Sequence, residues 1–148
     1  MTGVPTGTVK FKKLDPKAII PKYETAGSAG LDLSSIIDVD IKPGEQALIP
    51  TGLAVEIPPG TELQLRPRSG LALKHMISVT NSPGTLDSDY RGPIGIILIN
   101  HGYEHYYVRV GDRIAQAVLC PVIKADIRVV DELSDTNRGD GGYGSTGK

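Results

Sequence analysis

Asp87 and Tyr90 stand three residues apart in Asn81-Ser82-Pro83-Gly84-Thr85-Leu86-Asp87-Ser88-Asp89-Tyr90-Arg91-Gly92, so an acid and an aromatic ring share one short stretch. An ionised carboxylate can orient or deprotonate a water, and a ring can stack on a flat ligand or a sugar. Pro83-Gly84 is a strong turn pair, since proline presets φ at the second turn position and glycine accepts a positive φ at the third. Ile77, Val79 and the apolar run 94–99 flank it. The pattern predicts a β-hairpin whose tip offers backbone N–H and C=O groups to a ligand. Turn, acid and ring together suit recognition of a nucleobase with chemistry beside it.

Other residues compete or cooperate. Arg66-Pro67-Arg68-Ser69-Gly70 ends one strand and opens a helix expected over residues 69–75, with Ser69 near its N-cap. Two guanidiniums beside free helix N–H groups can hold an oxyanion; the plainer alternative is two solvated arginines around an ordinary cap. Asp32, Asp89 and Asp112 rival Asp87, and each also reads as a turn residue. His75, His101 and His105 lack metal-ligand spacing, and one cysteine cannot build a zinc set. Cys120, inside Val118-Leu119-Cys120-Pro121-Val122, is expected to be a small core residue. Gly142-Tyr143-Gly144-Ser145-Thr146-Gly147-Lys148 matches the opening of a phosphate loop. No Ser/Thr or helix follows Lys148 in this sequence, so only the underlying physics is expected: closely spaced N–H groups and hydroxyls cradling a phosphate.

These groups need a scaffold, and 148 residues suffice for one domain with a proper core. Eighteen glycines and eleven prolines leave little room for long helices. Between them lie β-branched or alternating runs at 8–12, 36–41, 47–49, 53–57, 62–65, 94–100, 106–110, 114–122 and 127–130. Many short strands at nearly even spacing predict an all-β fold, a jelly-roll-like distorted barrel or sandwich, with the short helix as its only one. Seven aromatics and no tryptophan predict a core of Val, Ile and Leu. Residues 1–133 read as the β domain. Residues 134–148, rich in glycine and poor in apolar side chains, read as a flexible tail that orders around an anion, a lid. Sixteen basic and seventeen acidic residues give a net charge of −1, which argues against a sequence-independent nucleic-acid binder. A lone cysteine predicts a reducing compartment. With no apolar leader and no run of membrane length, the cytosol is expected, or the nucleus in a eukaryote, with no membrane partner.

Five segments, in order, resemble the motifs of the trimeric deoxyuridine triphosphate nucleotidohydrolases (dUTPases). They are Ala26-Gly27-Ser28-Ala29-Gly30-Leu31-Asp32-Leu33, Arg66-Pro67-Arg68-Ser69-Gly70-Leu71-Ala72, the stretch from Asn81 to Gly92, Gly111-Asp112-Arg113-Ile114-Ala115-Gln116, and Arg138-Gly139-Asp140-Gly141-Gly142-Tyr143-Gly144-Ser145-Thr146-Gly147. Any one is weak; all five in order are specific. The resemblance implies a jelly-roll subunit and a homotrimer with active sites between subunits. It implies hydrolysis of dUTP to dUMP and pyrophosphate with Mg²⁺ on the triphosphate, which clears dUTP and supplies dUMP for dTMP synthesis.

By the same resemblance Asp87 activates the attacking water and Tyr90 packs against the deoxyribose. Asn81 and the backbone around Gly84, Thr85 and Leu86 hold uracil. Arg68, Ser69, Gly70 and Gln116 contact phosphates, and Asp32 meets the metal through water. Arg138, Tyr143, Gly144, Ser145 and Thr146 form the lid. One departure stands out: residue 143 is Tyr where the family usually has Phe. A related enzyme, dCTP deaminase, needs a general acid/base beside the base, yet no Glu occurs between Asn81 and Asn100. A nucleotide sensor without catalysis would gain nothing from an acid beside a triphosphate.

Overall fold

In the computed structural model, residue 3 and residues 5–147 are described. Among them ten strands and one helix run in the order β1 (Lys10–Lys13), β2 (Leu31–Ser34), β3 (Val39–Ile41), β4 (Gln46–Glu56), β5 (Thr61–Arg66), α1 (Ser69–His75), β6 (Ile77–Val79), β7 (Gly84–Leu86), β8 (Pro93–Asn100), β9 (Tyr106–Val108) and β10 (Arg113–Pro121). One sheet is ordered β1-β4-β8-β6, a second β2-β10-β5-β7, and β3 pairs with β9 alone. Every pairing is antiparallel. The sheets stay open rather than closing into a barrel, and the expected all-β, jelly-roll-like architecture with a single short helix is what forms. None of the helices among the described residues is long and apolar enough to cross a membrane.

Alternation builds the core. Along β8, Ile94, Ile96, Leu98 and Asn100 point inward while Pro93, Gly95, Ile97 and Ile99 point outward. Both larger sheets feed one cluster containing Leu33, Ile49, Leu63, Ile77, Ile96 and Ile114. It is aliphatic, as expected; Phe11 and Tyr106 only pack against it. Among the described residues, no buried side-chain polar atom lacks a hydrogen-bond partner. Asn100 donates through Nδ2 to the carbonyls of Ile41 (2.9 Å) and Glu104 (2.7 Å) and accepts from Gly102 N–H (2.8 Å). Thr51 donates its hydroxyl to Ile94 C=O at 2.8 Å.

The runs 47–49 and 53–57 prove to be one strand, β4. Pro50-Thr51-Gly52 reads as a break but is a bend, with a register shift against β8 between Pro50 and Ala54. Gly52 sits there at φ +70°, and a Cβ would lie 3.0 Å from Ala18 Cβ. The run 127–130 forms no strand. Its β-branched residues find no neighbouring strand among the described residues, and Ile127 and Val129 are almost fully exposed.

The expected Pro83-Gly84 hairpin turn does not form. β6 and β8, the two flanks of the Asp87 stretch, pair as expected, with Val79 opposite Leu98. The chain between them does not close in a tight Pro-Gly turn. It crosses to the second sheet and lays down β7 against β5. Gly84 has no positive φ; it begins β7, buried, where a Cβ would come 3.1 Å from Leu65 Cβ. It is needed for close approach rather than for turn conformation.

Candidate active site

Motif residues gather into two clusters. The first lies on the second sheet, where Asp32 on β2 pairs with Gln116 on β10, which in turn pairs with Arg66 on β5. Asp32 is therefore a strand residue, not a turn residue. Arg113 at the start of β10 donates to Asp32 Oδ2 at 3.0 Å, and Arg68 Nε stands 3.6 Å from Oδ1. Arg68 also donates to the Arg113 carbonyl at 2.9 Å. Gln116 Nε2 donates to Pro67 C=O at 2.9 Å, which pins the segment joining β5 to α1. Gly30 makes room for this, since a Cβ there would overlap Gln116 Oε1. Tyr106 stands close by: burial pushes its phenol above the usual tyrosine value, the Asp112 charge adds to that, and Arg68 opposes it.

Ser69 is the first helical residue rather than the cap. Arg68 holds the cap position with extended backbone, and no side chain caps the helix. Ser69 and Gly70 are both exposed, and no acid occupies the first turn to compete for an anion. Cys120 is half-buried rather than in the core, with Arg66 Nη2 3.6 Å from its sulfur. His105 contacts Asp40 at 2.9 Å, and no group of three metal-ligating side chains occurs among the described residues.

The second cluster follows β6. Asn81 is exposed, and its Nδ2 lies 3.5 Å from where a Gly84 Cβ would be, so the missing side chain leaves the amide beside the β7 backbone. Thr85 is exposed and Leu86 half-buried on the same strand. Tyr90 N–H donates to Asp87 C=O at 3.1 Å, closing the turn that carries both. The two side chains line different cavities, however. Asp87 borders an open polar one of about 370 Å³ with Glu62, Thr85, Asp89 and Lys124. Tyr90 borders an apolar one of about 570 Å³ with Leu48, Pro50, Leu86 and Pro93.

Pairing of β7 with β5 sets the distance between the clusters. Leu86 faces Leu63, so Asp87 comes level with Glu62, whereas Arg68 lies six residues farther along the β5 chain. The four steps from Glu62 to Arg66 alone span roughly 13 Å at about 3.3 Å per residue, and Arg68 lies two residues past the end of the strand. None of Arg68, Ser69, Gly70 and Gln116 lines the cavity that Asp87 borders.

The expected lid residues stand apart from both. Arg138 donates to Gly141 C=O at 2.8 Å, Ser145 N–H donates to Gly142 C=O, and Gly144 and Tyr143 adopt positive φ, Tyr143 at 51° with its ring fully exposed. Among the described residues, the hydrogen bonds of this segment, those to Thr136 included, stay within it. Lys148 of the expected phosphate cradle lies outside the described residues. Sequence reasoning passed over Arg113 and Arg91. Arg113 was visible only as the basic residue after Asp112; its reach across to β2 depends on strand pairing that local sequence does not carry.

Comparison with known proteins bears on this geometry. A family model described as dUTPase matches residues 16–147. The deoxyuridine 5′-triphosphate nucleotidohydrolase of Nautilia profundicola is 61% identical over 140 residues, 95% of this chain and 99% of that protein. That of Gloeothece citriformis is 58% identical over 139 residues, 94% and 96% of the two chains. A solved structure of the Staphylococcus bacteriophage 80alpha dUTPase with dUpNHpp matches with a TM-score of 0.89 at 30% identity, covering 97% of this chain and all of that one. A phage phi11 dUTPase structure described as revealing coordination of a structural Mg(II) ion matches at 0.81 and 26% identity, over 86% and 99%.

Proposed function

The chain belongs to the dUTPase family and is a deoxyuridine triphosphate nucleotidohydrolase, and from that premise we propose how its own residues divide the reaction. Asp87 holds the attacking water and Tyr90 packs on the deoxyribose. Asn81 and the backbone at Gly84, Thr85 and Leu86 read uracil, and Arg68, Ser69, Gly70 and Gln116 grip the phosphates. The water oxygen bonds to the α-phosphorus while the bond to the bridging oxygen breaks. Pyrophosphate leaves with that electron pair, and the water's proton passes to the Asp87 carboxylate. Phosphoryl transfer depends mostly on in-line placement and charge neutralisation, so a weak base that orients water suffices.

The observation that carries this reading is that Asp87 comes level with Glu62 near the start of β5 whereas Arg68 lies beyond its far end, with roughly 13 Å of strand from Glu62 to Arg66. Reaction at one phosphorus needs both, so the site is composite, with the water and sugar side from one copy and phosphate grips from another. dUTPases are generally trimeric, which supplies such a neighbour. Exposed apolar side chains at Ile123, Ile127, Val129 and Leu133 support burial against a second copy. Residues 1–133 act as the domain, and residues 134–148 close as a lid. In it Arg138, Ser145 and Thr146 meet phosphate, while Tyr143 and Gly144 meet the base.

Members of the family are generally dependent on a divalent metal. Here the donor set fits a hydrated ion brought by the triphosphate rather than a protein cage: Asp32 already faces Arg113 and Arg68, Arg113 is shared with Glu24 at 3.9 Å, and no three-ligand group occurs among the described residues. Asp32 would face the water shell of Mg²⁺. When bound, the ion supplies neutralisation of charge on the triphosphate and its leaving group. Clearance of dUTP and supply of dUMP follow from the reaction. A cytosolic location is supported by the single cysteine and the bacterial relatives.

Uracil is chosen by polar complementarity, since cytosine would leave buried site groups unpaired. The test is incubation with dUTP, dCTP, dTTP and UTP in the presence of Mg²⁺, following pyrophosphate and ammonia. Pyrophosphate from dUTP alone is expected. Ammonia from dCTP, or silence with all four, overturns the reading.

A further inference from the structure

Arg91 follows the residues that do the chemistry, and its guanidinium folds back over them. One nitrogen, Nη1, donates to the carbonyls of both Ser88 (2.7 Å) and Tyr90 (3.0 Å). The other terminal nitrogen stands 3.6 Å from Glu56 Oε1 at the end of β4, and the second oxygen of Glu56 is paired with Lys10 on β1. The head group thus ties an exposed turn to the first sheet. The same turn is constrained twice more. Tyr90 donates its hydroxyl to Pro93 C=O at 3.0 Å, and its ring fills the space where any side chain at Gly92 would stand.

Asp87 itself makes none of the side-chain hydrogen bonds or ion pairs found among the described residues, so its placement depends on the backbone that carries it. That backbone has one turn bond, Tyr90 N–H to Asp87 C=O, and the Arg91 clamp on the Ser88 and Tyr90 carbonyls. A planar guanidinium suits this task, because its donors leave in fixed directions and its charge survives at any working pH. A carboxylate that must aim a water in line tolerates little displacement; about 1 Å costs on the order of a hundredfold in rate.

We infer that Arg91 is a positioning residue for hydrolysis: it clamps the Ser88 and Tyr90 carbonyls, anchors them to Glu56, and so fixes the aim of the Asp87 carboxylate. The inference deepens the proposed function and rests on the role given there to Asp87. Binding of base and phosphates draws on other segments, so the loss belongs in kcat more than in KM.

The test is a double-mutant cycle on the full chain, with kcat, KM and thermal midpoint measured for Arg91→Met, Asp87→Asn and the pair. Arg91→Met alone is expected to lower kcat by about ten- to a hundredfold with KM changed far less. In the Asp87→Asn background the same change is expected to lower kcat no further, because the group it aims is gone. A merely structural role would lower both backgrounds alike, and that result overturns the inference. So does an unchanged kcat in Arg91→Met while Asp87→Asn is inactive, which leaves the proposed function standing. Full turnover by Asp87→Asn would sink the Asp87 role and this inference together. Arg91→Lys, which keeps the charge but not the fork, gives the same readout with a smaller fall should Arg91→Met not fold.

Discussion

A carboxylate aims and deprotonates water only while it carries charge, so Asp87→Asn removes the base while keeping the shape and polarity of the side chain. Asp87 is exposed at a polar cavity and no core contact depends on it, so the variant is expected to fold normally. Its kcat should fall by about a hundredfold to ten-thousandfold, the usual share of a general base, with affinity for a non-hydrolysable dUTP analogue retained. Single-turnover pyrophosphate release and calorimetric titration measure the two separately; loss of binding with rate unchanged would reverse the assignment. The acid and the ring were legible in the sequence because they are close in the chain. The Asp32–Arg113–Arg68 convergence was not, because it joins residues far apart in sequence through the pairings of β10. Nor did spacing reveal that Asp87 and Tyr90 open onto different cavities, since that depends on which way a turn rolls over the second sheet.

At the scale of elements, the bend in β4 and its far end each carry a checkable consequence. Gly52 combines φ +70° with a would-be Cβ contact of 3.0 Å to Ala18, whereas Gly60 has φ +80° and open space. Gly60→Ala should cost about 1–2 kcal/mol for the left-handed backbone, and Gly52→Ala about 2–4 kcal/mol because packing is added to strain. Urea midpoints compare them directly, and equal losses would mean that the neighbours simply yield. Glu56 closes β4, and the Lys10 ammonium, with Arg91 as a smaller contributor, holds its carboxyl below the usual carboxylate value. A carboxyl depressed in the folded state stabilises above its unfolded pKa and loses that contribution as pH falls through the folded one. Stability should therefore drop more steeply on acidification in the wild type than in Glu56→Gln; parallel curves would remove the pair from the account. Strand alternation and glycine spacing made β5, β8 and β10 legible nearly to their ends. β7 escaped because three residues carry no periodicity, and 127–130 misled because β-branched residues form strands only where a partner edge exists.

For the whole molecule, the decisive proposal is that one chain carries both halves of a site that is completed only between copies. Asp87 follows β7 level with one end of β5 and Arg68 lies just past the other, so the proposed site draws them from different copies. The five motifs carry no information on which copy would supply each residue. A mixture makes this measurable. Asp87→Asn subunits retain the phosphate grip, and Arg68→Ala subunits retain the water-holding acid. Each homotrimer should be nearly inactive. Co-expressed in equal amounts, they assort at random around a cyclic trimer, and about a quarter of the junctions then join an intact Asp87 to an intact Arg68. Turnover per subunit should recover to about a quarter of the wild-type value, set by that fraction of junctions. If the site were built within one chain, every chain in the mixture would carry a defect, and the mixture would stay as inactive as its parents.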